Sequence, residues 1–127
     1  MDTILVVDDQ VIGRQVLCHF IQSANTGCNV IDFACPREAL AWLRLNAVRL
    51  VFTDHNMSAM TGIAFIEALR RHPQHVQVPV IMVTADDSPA LKDRAIAMGV
   101  ADFLVKPVGR RLCHTLMHYH LGLGSQL

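Results

Sequence analysis

Four short apolar runs of this chain each end in polar residues that can take part in chemistry. In chain order these residues are Asp8 and Asp9, Asp54, Thr84, and Lys106. Three carboxylates brought to one place repel one another strongly, and a single lysine cannot balance them. A divalent cation with oxygen ligands is the natural complement, and Mg²⁺ suits a site with few carboxylates and several waters. A fold that joins these run ends would therefore create a magnesium site.

The same groups are suited to phosphoryl transfer. A carboxylate can attack phosphorus and form a covalent acyl phosphate. A metal neutralises charge on the transferring group, while an ammonium and a hydroxyl bind its oxygens. Asp54 is the best candidate for the nucleophile because it stands alone after its run, and the other carboxylates then hold the metal. Taken singly, each residue has a structural explanation as a turn former or cap, and only their shared position favours function.

The elements that must position these residues alternate along the chain. Strand-like runs occupy residues 4–7, 28–33, 50–53, 79–84 and 101–105, and each is followed by a stretch with helical spacing. Such alternation predicts an α/β fold: a doubly wound, five-stranded parallel sheet with five helices. In the strand order 2-1-3-4-5, the first, third, fourth and fifth runs surround one crevice at their carboxyl ends. In the last helix, residues 110–120, we expect Leu112, Leu116 and Tyr119 on one side and a solvated face carrying His114 and His118.

Composition excludes several classes of protein. The chain has 127 residues, 52% of them hydrophobic, with 11 basic and 11 acidic side chains. One domain with a substantial core fits these values, and the absence of a positive excess argues against direct nucleic-acid binding. The first residues lack the basic start and long apolar stretch of a secretory signal, and no run is long enough to span a membrane. We therefore expect a cytoplasmic protein whose four cysteines are reduced.

Four segments together resemble the receiver domain of a two-component response regulator. They are Ile4-Leu-Val-Val-Asp-Asp9, Val51-Phe-Thr-Asp-His-Asn-Met57 with Met60-Thr-Gly62, Val80-Ile-Met-Val-Thr-Ala85, and Ala101-Asp-Phe-Leu-Val-Lys-Pro107. The resemblance covers about residues 3–120 and implies a flavodoxin-like fold. It predicts a receiver domain over residues 1–121, with residues 122–127 as a C-terminal tail or the start of a linker.

The resemblance also implies a role for each polar residue. Asp54 matches the phosphoacceptor, which is also a metal ligand. Asp9 matches the direct carboxylate ligand of Mg²⁺, and Asp8 matches the residue that holds water and the site geometry. Asn56 matches the position whose backbone carbonyl is a further ligand.

Two more matches concern phosphoryl binding and the response to it. Thr84 and Lys106 match the hydroxyl and ammonium that contact the phosphoryl oxygens, and the Lys106–Pro107 bond is expected to be cis. Thr84 and Phe103 match the pair of residues that switch together. The loop after the acceptor departs from the family pattern, because it reads Met57-Ser-Ala-Met60 where the family reads Met-Pro-Gly-Met.

The function implied is a phosphorylation-dependent signalling switch rather than a classical enzyme. It takes a phosphoryl group from a sensor histidine kinase or a phosphotransfer protein and slowly hydrolyses it. The expected partners are that donor, a downstream effector domain or target protein, and a second copy of the chain bound through the fourth helix, fifth strand and fifth helix. The alternative is a pseudo-receiver that binds partners without phosphorylation. A flavin carrier is disfavoured because Asp8 and Asp9 would repel phosphate, and no nucleotide-binding P-loop motif is present.

Overall fold

Five strands alternate with five helices in residues 2–122, the part of the chain that this computed structural model describes. The strands are β1 (Thr3–Val7), β2 (Asn29–Phe33), β3 (Leu50–Thr53), β4 (Val80–Thr84) and β5 (Asp102–Val105). The helices are α1 (Val11–Ser23), α2 (Pro36–Leu43), α3 (Gly62–Arg70), α4 (Pro89–Ala97) and α5 (Arg110–His120). The predicted tail, residues 122–127, lies outside the described residues except for its first residue.

All strand pairs are parallel, and the sheet order is β2-β1-β3-β4-β5. This confirms the predicted doubly wound α/β fold. Because parallel strands share one direction, the ends of β1, β3, β4 and β5 lie along the same edge of the sheet. The polar residues that follow these strands are therefore gathered at that edge.

The helices cover both faces of the sheet. One buried cluster includes Phe65 and Ile66 of α3, and the other includes Ile21 of α1 and Met117 of α5. Every residue of β3 and β4 is buried, which explains why these strands read as continuous apolar runs. None of the helices between residues 2 and 122 has the length and hydropathy of a membrane-spanning segment.

Capping fixes where the helices next to the site begin. Thr61 Oγ1 accepts a hydrogen bond from the backbone N–H of Ala64 at the start of α3, at 3.1 Å. Ser88 Oγ does the same for Leu91 at the start of α4, at 3.3 Å, and Pro89 is the first helical residue. Each cap satisfies an otherwise unpaired helix N–H and so holds the loop that precedes it.

The buried face of α5 differs from the prediction. Cys113 and Met117 are buried, whereas Leu112 is 45% exposed and Tyr119 is 77% exposed. Cys113 and Met117 are four residues apart and so share one face, which the sheet covers. A wholly solvated position for His114 is also wrong, because its Nε2 lies 2.8 Å from the carbonyl oxygen of Phe20 and joins α5 to α1.

Candidate functional site

Asp8, Asp54 and Lys106 form a compact cluster at the carboxyl edge of the sheet. Lys106 Nζ donates to Asp8 Oδ2 at 2.9 Å and to Asp54 Oδ2 at 3.0 Å. Both carboxylates are almost fully buried, with 4% and 5% of their surfaces exposed, while the lysine side chain is 21% exposed. Residues separated by up to 98 positions in the chain thus meet because β1, β3 and β5 end along the same edge of the sheet.

Backbone hydrogen bonds hold the two carboxylates in place. Asp54 Oδ1 accepts from the N–H of His55 at 2.6 Å, and Asp8 Oδ1 accepts from the N–H of Gln10 at 2.9 Å. The N–H of Asp54 donates to the carbonyl of Val7, which continues the ladder between β3 and β1. In each carboxylate, one oxygen therefore accepts a hydrogen bond from the backbone and the other accepts one from Lys106. These bonds set the orientation of the carboxylate before any ligand binds.

Opposing effects act on the pKa of Lys106. Burial lowers this pKa, but hydrogen bonds to Asp8 and Asp54 and the attraction of both carboxylates outweigh burial and raise it above its ordinary value. A raised pKa means that the ammonium stabilises the fold at neutral pH, and this contribution is lost only in strongly alkaline solution. Lys106 is thus a permanent cation beside the candidate nucleophile.

Asp9 lies at the rim of this cluster and contacts a different part of the chain. Its Oδ2 accepts from the backbone N–H of Ser58 at 2.9 Å. Proline, which the family pattern has at this position, lacks an N–H and could not make this bond. In residues 2–122, no three His, Cys, Asp or Glu side chains form a ready-made cation site. The structure therefore joins Asp8 and Asp54 through Lys106 but holds Asp9 against the loop after β3.

The donor chemistry of the cluster fits Mg²⁺. Asp8, Asp9 and Asp54 supply hard carboxylate oxygens, and the side chains of Asp8 and Asp54 are buried. Lys106 balances only one of the three negative charges. The excess negative charge is what a divalent cation would neutralise. Asp8, Asp9 and Asp54, with the backbone of Asn56, are the residues that would hold it.

Thr84 and Phe103 lie on the same face of the sheet. Phe103 is paired in register with Met82, and Thr84 follows Met82 by two residues, so side-chain alternation places all three on one side. Thr84 is fully buried, and its Oγ1 accepts from the N–H of Asp86 at 3.2 Å. Phe103 is partly buried. It packs against the buried cluster that includes Phe65 of α3 and Leu91 of α4. The expected switch pair thus lies on neighbouring strands and on one face of the sheet, and the Lys106–Pro107 bond is cis as expected.

Asn56 is exposed and Asp86 is half-buried in the loops that follow β3 and β4. The N–H of Ser88 donates to Asp86 Oδ1 at 3.0 Å, and hydrogen bonding from Ser88 lowers the pKa of Asp86. Asp86 is therefore ionised at neutral pH, so its carboxylate adds negative charge at the rim.

Two residues at the site were missed by the sequence analysis. Arg14 donates to the carbonyl oxygen of Asp8 at 2.8 Å and to Asp32 Oδ2 at 2.9 Å, and so ties α1 to the ends of β1 and β2. His55 is 8% exposed, and burial, reinforced by Arg94, lowers the pKa of its imidazole. The sequence indicates these residues only by their closeness along the chain to an aspartate, which is Asp9 for Arg14 and Asp54 for His55.

The bond between Ser58 and Asp9 leads to a prediction about metal binding. Ser58→Pro removes the N–H that competes with a cation for the Asp9 carboxylate, so Mg²⁺ should bind more tightly, by a factor of up to about ten for one lost hydrogen bond. Ser58→Ala keeps the N–H and should bind Mg²⁺ like the wild type. Isothermal titration of the three proteins with MgCl₂ measures the difference. Equal affinity of the proline and alanine variants would contradict this competition.

Comparison with known proteins assigns the chain to a family. The model of the response regulator receiver domain matches residues 4–118. The chain therefore belongs to the response regulator receiver domains.

Individual relatives agree with this assignment. The cyclic di-GMP phosphodiesterase response regulator RpfG of Xanthomonas campestris pv. campestris (strain 8004) is 38% identical over 108 residues, which are 85% of this chain but 29% of that protein. The two-component response regulator ORR3 of Oryza sativa subsp. indica is 29% identical over 119 residues, covering 90% of this chain and 89% of that protein. The chain thus spans 29% of the length of RpfG but 89% of the length of ORR3.

Solved structures show the same fold. The chemotaxis response regulator CheY4 of Vibrio cholerae superposes with a TM-score of 0.84 and 33% sequence identity, over 94% of this chain and 98% of that one. A CheY-like receiver domain protein from Methanospirillum hungatei JF-1 superposes with a TM-score of 0.82 and 22% identity, over 100% of this chain and 99% of that one. The second match, at low identity, concerns the fold alone.

Proposed function

We propose that this receiver domain accepts a phosphoryl group on Asp54 from a phosphohistidine of a sensor histidine kinase or phosphotransfer protein, with Mg²⁺ as cofactor. The buried cluster carries the proposal, because Lys106 Nζ lies within 3.0 Å of oxygens of both Asp8 and Asp54. A carboxylate held this way at the end of a central strand is oriented for attack. A pseudo-receiver would have no need for this arrangement.

The chemistry follows from the positions of the groups. Asp54 forms a P–O bond as the P–N bond of the donor breaks, and the chain's own residues then hold the product. Lys106 donates to a phosphoryl oxygen in place of a carboxylate, and the Thr84 hydroxyl lies on the neighbouring strand to bind another. Mg²⁺, when bound, supplies positive charge that offsets the negative charge of the transferring group. Slow hydrolysis of the acyl phosphate later restores Asp54.

Phosphorylation would be transmitted through Thr84 and Phe103. A phosphoryl group adds negative charge and acceptor oxygens at Asp54, which draw the Thr84 hydroxyl away from the N–H of Asp86. The space that Thr84 leaves lies on the face of the sheet that carries Phe103, so the aromatic ring can turn inward. Moving such an equilibrium from mostly inactive to mostly active requires about 5.5 kcal/mol of differential stabilisation. Several charge-assisted hydrogen bonds at about 1.5–3 kcal/mol each supply that order of magnitude.

The surface that would change is formed by α4, β5 and α5, which we call the output face. Apolar side chains are exposed on each of its elements: Ile96, Val105, Leu112 and Tyr119. Such side chains suit a downstream effector domain, a target protein or a second copy of this chain. We assign the protein to the cytoplasm because a sensor kinase presents its phosphohistidine there.

Thr84→Ala should separate phosphorylation from its transmission. The variant keeps Asp54 and Lys106 and should still be labelled, but it lacks the hydroxyl that links the phosphoryl group to Phe103. Beryllofluoride, a phosphoryl mimic, should therefore shift the amide NMR signals of α4 and β5 far less than in the wild type. Thr84→Ser restores the hydroxyl and should restore the shifts. An alanine variant that responded as fully as the wild type would show that the coupling does not pass through Thr84.

Labelling with a small phosphodonor tests the proposed function directly. Incubation with acetyl phosphate and Mg²⁺ should add one phosphoryl group to the protein, as measured by intact mass spectrometry. Removal of Mg²⁺ by EDTA should suppress the labelling. If the folded wild-type protein took up no phosphoryl group from either acetyl phosphate or phosphoramidate, the pseudo-receiver alternative would be correct.

A further inference from the structure

Every polar group of Asp8 is hydrogen-bonded, and Arg14 makes one of these bonds. The N–H of Asp8 donates to the carbonyl oxygen of Phe33 at 3.1 Å, at the end of β2. The two carboxylate oxygens accept from the N–H of Gln10 and from Lys106. The carbonyl oxygen lies beyond the last residue of β1 and accepts from Arg14 Nη1 at 2.8 Å. Asp8 therefore cannot turn in any direction without losing a bond.

Arg14 is itself held in place by a second bond. Its Nε donates to Asp32 Oδ2 at 2.9 Å, so one guanidinium joins α1 to the ends of β1 and β2. The side chain of Arg14 is 15% exposed, whereas that of Asp32 is 47% exposed. The donors of a guanidinium lie in one plane at fixed angles. The carbonyl of Asp8 is thus bound by a rigid group that two partners orient.

The peptide bond that Arg14 holds joins two carboxylate residues of the candidate magnesium site. The carbonyl group of Asp8 lies in one plane with the N and Cα atoms of Asp9, because the peptide bond is planar. Fixing this oxygen therefore fixes the point from which the side chain of Asp9 starts. Arg14 contacts neither carboxylate of the pair, yet it sets the orientation of one relative to the other.

We propose that Arg14 is a positioning residue that makes the acidic cluster prefer Mg²⁺ to Ca²⁺. The inference rests on the binding of Mg²⁺ proposed above. Mg²⁺ requires near-ideal octahedral ligands at about 2.0–2.1 Å, whereas Ca²⁺ accepts longer and more variable distances. Carboxylates held rigidly by the peptide bond between them favour the smaller ion. A loosened pair would lose more affinity for Mg²⁺ than for Ca²⁺.

The charge of Arg14 and its hydrogen bonds have opposite effects on cation binding. An arginine beside a cation site repels the ion, so loss of the charge alone would strengthen the binding of both divalent ions equally. Loss of the hydrogen bonds would weaken Mg²⁺ binding in particular. The ratio of the two dissociation constants cancels the effect of charge and so measures positioning alone.

Titrations with MgCl₂ and with CaCl₂ at constant ionic strength, followed by the amide NMR shifts around the acidic cluster, give both dissociation constants. Arg14→Gln should lower the preference for Mg²⁺ about tenfold, the lower end of the effect of losing a group that orients metal ligands. Asp32→Asn weakens the anchor of Arg14 and should lower the preference about threefold. Arg71→Gln, which removes an exposed arginine after α3, should keep the wild-type preference.

The two proposals fail in different ways. Circular dichroism establishes that the variants are folded, and if Arg14→Gln is not, Asp32→Asn decides. A folded Arg14→Gln protein with the wild-type preference, even one that binds both ions more tightly, would overturn the positioning role and leave the proposed function intact. A wild-type protein that binds neither ion would overturn the proposed Mg²⁺ cofactor, and this inference with it.

Discussion

Asp54→Asn should lower phosphoryl labelling by at least about a hundredfold, because loss of the nucleophile removes the covalent step. The amide has nearly the size and shape of the carboxylate, but its oxygen is a poor nucleophile. The exchange also leaves Asp8 as a carboxylate partner of Lys106, so the cluster keeps an ion pair. We therefore expect a folded protein that no longer reacts.

Intact mass spectrometry after incubation with acetyl phosphate and Mg²⁺ measures this effect. Asp93→Asn is the matched control, since it makes the same change at an exposed position on α4 and should be labelled like the wild type. Peptide mapping of the wild-type protein should place the phosphoryl group on Asp54. Labelling of Asp54→Asn at the wild-type level would mean that another residue is the acceptor.

Gly62→Ala should lower the free energy of unfolding by about 3 kcal/mol, the upper part of the range for overpacking. A Cβ atom on Gly62 would overlap the carbonyl oxygen of Asp54 and lie 2.8 Å from Cα of His55. These atoms belong to the backbone at the end of β3, where the N–H of Gly62 donates to the carbonyl of His55. The added methyl group can be accommodated only if the backbone of Asp54 moves. Phosphoryl labelling of Asp54 should therefore slow as well.

Urea denaturation of the two proteins measures the change in unfolding free energy. Gly109→Ala is the matched control, because its Cβ atom would meet nothing within 4 Å and its φ is −82°. Gly109 caps α5, so this control should lose no more than about 1 kcal/mol. Equal stability of the two alanine variants would show that the loop after β3 accommodates the methyl group.

Much of the fold follows from the sequence by itself. Residues 50–52 and 80–83 are continuous apolar runs because β3 and β4 are buried on both faces, and the helical spacing between runs requires crossover connections. The shared direction of parallel strands then gathers Asp8, Asp54 and Lys106 at one edge. The prediction of a site at the carboxyl ends therefore needed only the alternation of elements and the residues that end them.

Contacts between distant segments were decided by the tertiary structure. Asp9 follows Asp8 directly, yet the two carboxylates point to different partners, because successive residues leave a strand in different directions and only Asp8 meets Lys106. The buried face of α5 depends on how the helix is rotated against the sheet, which its several apolar residues leave open.

The two glycines next to the site also show what the sequence determines and what only the tertiary structure decides. The sequence places Gly13 in a helix and Gly62 after a loop, but only the folded chain brings one against Asp8 and Lys106 and the other against the backbone of Asp54. Local spacing determines which residues form an element and which edge they reach. Distances of a few ångströms between elements arise from packing of the whole core, and these distances decide what the site can admit.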